Sequence, residues 1–166
     1  MIPTDKDIAE FLLLAFEFDL IEMSQVETWE DDVIDSRDEP PAWAIDLSMS
    51  KDYEETRRIL RDIRGLKTPG VADLMVFGLL KRRRQMGSPW NQVWYPLSEL
   101  LRDRDTYEWD SKVVTPLNRD AIMNLYMLVD WHEYSPGSVS DDELNAEVDK
   151  IFAEDHRSLD LLPAWL

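Results

Sequence analysis

Apolar residues recur every three or four positions along this chain, and the recurrence breaks into eight short runs. Ile8, Phe11, Leu12, Ala15 and Phe18 share one face of a first helix. Val26, Trp29 and Val33 mark a second, and Trp43, Ala44 and Leu47 a third after Pro40-Pro41. Tyr53, Thr56, Leu60 and Ile63 give a fourth, stopped by Gly65. Val71, Leu74, Met75 and Gly78 open a fifth, stopped by Gly87. Trp90, Val93, Trp94 and Leu97 begin a sixth, which Pro96 should kink or split. Leu117, Ala121, Leu125, Leu128 and Val129 mark a seventh, and Leu144, Val148, Ile151 and Phe152 an eighth.

Polar punctuation supports the same division. Thr4–Asp7, Ser24–Glu27 and Ser140–Glu143 have the form of capping boxes, in which a hydroxyl and an acid three residues on satisfy each other's backbone N–H. Thr68-Pro69, Ser88-Pro89 and Thr115-Pro116 each place a capping hydroxyl before a proline suited to the first helical position. Residues 104–114 read as a loop or a short extended piece. Ser158–Leu166 is apolar but broken by Pro163. Ser36–Pro41 and Tyr134–Ser140 read as exposed loops. The expected fold is all-α: residues 1–166 as a single irregular domain of about seven to eight short helices.

Composition narrows the class further. A chain of 166 residues with 44% hydrophobic side chains and seven Trp is too apolar for disorder. There is no Cys, which removes disulfides, thiolate metal sites and Cys nucleophiles. The longest apolar run, Phe11–Phe16, is far short of the roughly 20 residues a membrane span needs. Asp5, Asp7 and Glu10 precede it, unlike the positive start of a signal peptide. The expected compartment is the cytoplasm.

Charge changes the picture most. The formal net charge is -17. Residues 1–50 carry 2 basic and 14 acidic side chains, while residues 51–100 carry 10 basic and 6 acidic. Residues 101–166 return to 6 basic and 15 acidic. Acidic ends repel nucleic acid and anionic membrane and favour a basic protein partner. The densest stretch is residues 27–39, where Trp29 sits among Glu30, Asp31, Asp32, Asp35, Asp38 and Glu39. These seven are the candidate partner-binding residues. The bland alternative is a solvated helix face that keeps the protein soluble.

The basic middle, Arg57, Arg58, Arg61, Arg64, Lys67 and Lys81–Arg84, is expected to pair with the chain's own carboxylates. His132 reads as a helix-end residue. No H-E-x-x-H, Glu-x-x-His, G-x-S-x-G, phosphate-binding loop or G-x-G-x-x-G occurs, so no catalytic residue and no cofactor is expected. Trp165 and the apolar C-terminal segment are the candidate surface for a homo-oligomer.

One resemblance suggests chemistry. Glu27-x-x-Glu30 followed by Asp52-x-x-Glu55 resembles the E-x-x-E…E-x-x-D pattern of the all-helical nucleoside-triphosphate pyrophosphatases, with the second pair inverted here. The resemblance covers four residues and implies a Mg²⁺-dependent hydrolase holding its ion through carboxylates. The composition as a whole is similar to that of small acidic helical bacterial proteins, among them immunity proteins that neutralise basic toxins.

Overall fold

The carboxylate of Asp7 does more than the capping box asks of it. Its Oδ2 accepts the backbone N–H and the hydroxyl of Thr4 at 3.0 and 2.9 Å, and the Asp7 N–H donates back to Thr4 Oγ1. Its Oδ1 accepts the N–H of Thr68 at 2.7 Å, while the Thr4 hydroxyl is also 2.9 Å from the carbonyl of Leu66. Helix α1 (Asp5–Glu17) is thereby fastened at its start to a loop more than sixty residues on. Burial alone would raise the pKa of Asp7; the hydrogen bonds from Thr4 and Thr68 outweigh it and hold the group below its ordinary value.

The computed structural model describes residues 2–101, 119–153, 155 and 157–166. After α1 come α2 (Met23–Asp35), α3 (Ala42–Ser48), α4 (Tyr53–Asp62), α5 (Val71–Gln85), α6 (Trp90–Leu101), α7 (Arg119–Tyr134) and α8 (Asp141–Ala153). A single 3₁₀ turn, Leu159–Leu161, follows. Helix takes 69% of the described residues and no strand occurs among them, so the protein is all-α. The expected stretch 104–114 and the Thr115-Pro116 start lie outside the described residues.

Backbone contacts gather into two compact units. The first comprises Met1–Val76 with Leu161–Leu166, the second Phe77–Asp160. In the first, α1 packs on α4, and α3 packs on both α2 and α4. Phe11, Leu12, Val26 and Leu60 are fully buried there. Phe16 meets Tyr53 edge-on at 4.9 Å, and Trp29 stacks on Trp43 at 5.0 Å. Helix α1 ends in a Schellman motif: Leu20 N–H reaches Ala15 O, and Asp19 N–H reaches Phe16 O. Asp19 takes the left-handed position, φ 56°, which glycine usually fills.

In the second unit α8 packs on α6 and α7. Two residues one turn apart on α8 hold the start of α6. Asn145 Oδ1 accepts the Trp90 N–H at 2.9 Å, and Asp141 Oδ1 accepts the indole Nε1–H of the same residue at 2.7 Å. The His132 ring stands nearly perpendicular to that indole, ring centroids 5.4 Å apart. Gly78 on α5 lets another segment come close: a Cβ built there would stand 2.5 Å from the carbonyl oxygen of Ser158.

Three local expectations need correction. The Ser24–Glu27 box does not form, because α2 starts earlier: Gln25 Oε1 reaches back to the Glu22 N–H at 2.9 Å, which leaves Ser24 inside the first turn. Thr68-Pro69 does not open α5. Thr68–Val71 is instead a β-turn, closed by Val71 N–H to Thr68 O, with Pro69 second and Gly70 third at φ 78°. That is the residue order of a type II turn, and the helix begins after it. Of the kink or split expected at Pro96, the split does not occur: α6 runs through it from Trp90 to Leu101. The Thr4 and Ser140 boxes form as expected, the latter with Glu143 Oε2 at 2.8 Å from Ser140 N. Gly87 closes α5 as expected, with Ser88 N–H on Arg83 O and Gly87 N–H on Arg84 O.

Candidate functional site

Helix α2 and the loop after it carry the candidate partner-binding residues, and the structure divides them into two groups. Asp31, Asp32, Asp35, Asp38 and Glu39 are exposed, as is Glu27. Trp29 is only 2% exposed; its indole belongs to the stack with Trp43 and not to the surface. Glu30 is 6% exposed, and its Oε2 has no hydrogen-bond partner. The only cation in this stretch, Arg37, is engaged by Asp5 at 2.7 Å, and that hydrogen bond raises its pKa.

Glu30 reports the electrostatics of the helix from inside. Its pKa is pushed up to about 7. Burial is the largest cause, followed by the charge of Asp31, a hydrogen bond with it and the charge of Glu27. A buried acid in a field of like charge with no cation to offset it holds its proton near neutral pH. Its place inside the protein was legible. Val26, Trp29, Glu30 and Val33 follow the i, i+3, i+4, i+7 rule, so Glu30 occupies a core-facing position of its helix.

The Mg²⁺ ligand set implied by the pyrophosphatase resemblance is not assembled. Glu27 is exposed while Glu30 is buried. Asp52 caps α4 by accepting the Glu55 N–H at 2.9 Å, and Glu55 Oε2 accepts the Lys51 N–H at 3.0 Å. Among the described residues no group of three or more His, Asp or Glu side chains is disposed to hold a metal ion.

Basic side chains of the middle segment mostly meet the chain's own acids. Arg84 makes a two-pronged pair with Asp149 at 2.6 and 2.9 Å. Lys81 bridges to Asp155, and Lys67 reaches Glu10 at 2.5 Å. Arg57 and Arg58 pair locally with Glu54 and Asp62 at 3.8 Å. Burial would raise the pKa of Asp155. Hydrogen bonds from the Ser158 hydroxyl, from the Arg157 and Ser158 N–H groups and from Lys81 hold it below the ordinary value instead. An open cleft of about 200 Å³ lies beside Lys81 and Arg84, and Asp149 lines it too, so its cations are already neutralised.

His132 ends α7 as expected, with Nδ1 3.0 Å from Val139 O and Nε2 3.8 Å from Asp141. Trp165 is half-buried. No helix among the described residues is long and apolar enough to cross a membrane. What sequence reasoning missed is the outer face of α7, where Met123, Met127, Trp131 and Tyr134 are all exposed. The signal was a helix apolar on both faces.

No protein family model, curated protein or solved structure matches the chain. Fold and site geometry alone therefore define its class, an acidic all-α protein with an uncompensated carboxylate face.

Proposed function

We propose that this is a non-enzymatic, cytoplasmic binding protein whose α2 face engages a basic protein partner. One observation carries the reading: six exposed carboxylates between Glu27 and Glu39 share a single cation, Arg37, and Asp5 already holds it. Closely spaced exposed charges of one sign steer an oppositely charged partner and raise its association rate. The contact residues are Asp31, Asp32, Asp35, Asp38 and Glu39. Trp29 and Glu30 act from beneath: the Trp29–Trp43 stack sets α2 on α3, and buried Glu30 adds its charge to the face when it ionises.

The test is capture of proteins from a lysate of the source organism on immobilised full chain, followed by kinetics on the basic protein retained. Association should slow as salt rises through ~0.15 M, where the Debye length is about 8 Å. Replacing Asp31, Asp32 and Asp35 together by Asn should slow it further and leave the fold intact, since exposed charges contribute little to stability. Retrieval of the same partners at unchanged rates would reduce α2 to a solvated face.

A further inference from the structure

The outward face of α7 is built unlike a solvent face. Met123, Met127, Trp131 and Tyr134 lie at i, i+4, i+8 and i+11, one continuous stripe over three turns and about 16 Å of helix. Their exposure runs from 40% at Met123 to 82% at Tyr134. The opposite face already holds the core contacts of the helix through Ile122, Leu125 and Val129. A second apolar stripe is thus not needed to fold the unit. Scattered surface apolar residues need no explanation, but a contiguous run of large ones does.

Two carboxylates accompany the stripe. Asp130 lies within it, between Met127 and Trp131, and Glu133 lies beside Tyr134. Among the described residues neither forms an ion pair. Methionine is flexible and polarisable and adapts to irregular apolar partners, while Trp and Tyr supply rigid contact area.

We propose that this face of α7 is a docking face for a cationic amphipathic helix of another protein, which lays apolar residues on Met123, Met127 and Trp131 and directs Lys or Arg to Asp130 and Glu133. The charge selects this occupant over a second copy of the chain. A second copy brings the same net charge of -17 and sets its own Asp130 and Glu133 against these. The three-turn length of the stripe matches a helical ligand with anchors at i, i+4, i+7 and i+11, about 16 Å of helix. The α7 stripe shares no residue with the α2 face and is recognised by apolar contact as well as charge.

The experiment titrates the full chain with a synthetic peptide of about 14 residues, four turns, made of Leu and Lys with Leu at helical spacing. Calorimetry and tryptophan fluorescence read the binding. The expected result is saturable binding with a blue shift of the emission. The Met123→Ser/Met127→Ser/Trp131→Ser variant should bind at least about tenfold more weakly. Its melting should be unchanged, since only exposed side chains are altered. The Asp31→Asn/Asp32→Asn/Asp35→Asn variant should bind within about threefold of wild type at ~0.15 M salt. Three results would each overturn the proposal. One is equal binding by the Ser variant. Another is equal binding of a peptide with Glu in place of Lys. The third is a wild-type dimer in sedimentation that the Ser variant abolishes. None of them bears on the α2 reading, which the Asn variant tests alone.

Discussion

The backbone N–H of Thr68 donates to the buried carboxylate of Asp7 at 2.7 Å, joining the first turn of α1 to the turn that precedes α5. The same carboxylate receives the N–H of Thr4. Two backbone N–H groups, sixty-four residues apart, thus meet on one buried side chain.

Asp7→Asn is expected to destabilise the protein by about 1–3 kcal/mol at neutral pH, since the amide's single acceptor oxygen cannot serve both Thr4 and Thr68 and the charge is lost. The sign of the pH dependence follows from the lowered pKa of Asp7. Its contribution is present above the unfolded value, near 3.8, and is lost as pH falls through the folded one. Urea melts of wild type and variant should therefore converge in acid, as pH falls below 3.8 and through the lower folded value. Parallel curves down to that pH would show that the carboxylate's charge contributes nothing.

Gly78 offers a contest between two effects of opposite sign. In a helix interior, Gly→Ala ordinarily stabilises by about 1 kcal/mol through backbone entropy. Here the new methyl would meet the Ser158 carbonyl oxygen at 2.5 Å and its carbon at 2.8 Å, and neither is the end of a flexible side chain. Overpacking against backbone costs about 1–3 kcal/mol or more, so the steric effect should win. Gly78→Ala is expected to lower the melting temperature by roughly 3–8 °C. A rise would mean that the Ser158 segment does not lie on α5.

How much of this was legible follows from the range of each interaction. The Thr4 and Ser140 boxes and the Gly87 cap are written within a few residues, and reading them locally sufficed. The Asp7–Thr68 bond and the Gly78–Ser158 approach join positions 61 and 80 residues apart, and no local pattern marks them. Ser24 failed as a cap because Gln25 could reach Glu22 and start the helix earlier, a competition that spacing does not rank. The acidic stretch was read as charge, although its helical spacing carried the geometry as well. Helical phase turns Trp29 and Glu30 inward and Asp31, Asp32 and Asp35 outward, so one run of residues serves core and surface alternately. The α7 stripe was visible in the sequence too, but the helix was marked by Leu117, Ala121, Leu125, Leu128 and Val129 alone, which leaves its second apolar face out.

Glu30 joins stability to the charge of α2, and its pH dependence has the sign opposite to that of Asp7. An acid whose folded pKa is about 7, raised from 4.5, binds its proton more tightly folded than unfolded. Stability is then greatest below the unfolded value and declines as pH rises from about 4.5 through 7, as folding begins to oppose ionisation. At one unit per 1.36 kcal/mol, the loss by pH 8 is about 3 kcal/mol. Glu30→Gln keeps the shape and removes the ionisation. It should be about 1–3 kcal/mol more stable than wild type at pH 8 and nearly equal to it at pH 5, the amide's own unmet hydrogen bonds offsetting part of the gain. Urea denaturation at the two pH values measures both. A gain of the same size at pH 5 and pH 8 would place the cost of Glu30 in its packing and not in its charge. The exposed carboxylates would then lose the buried group that senses their field.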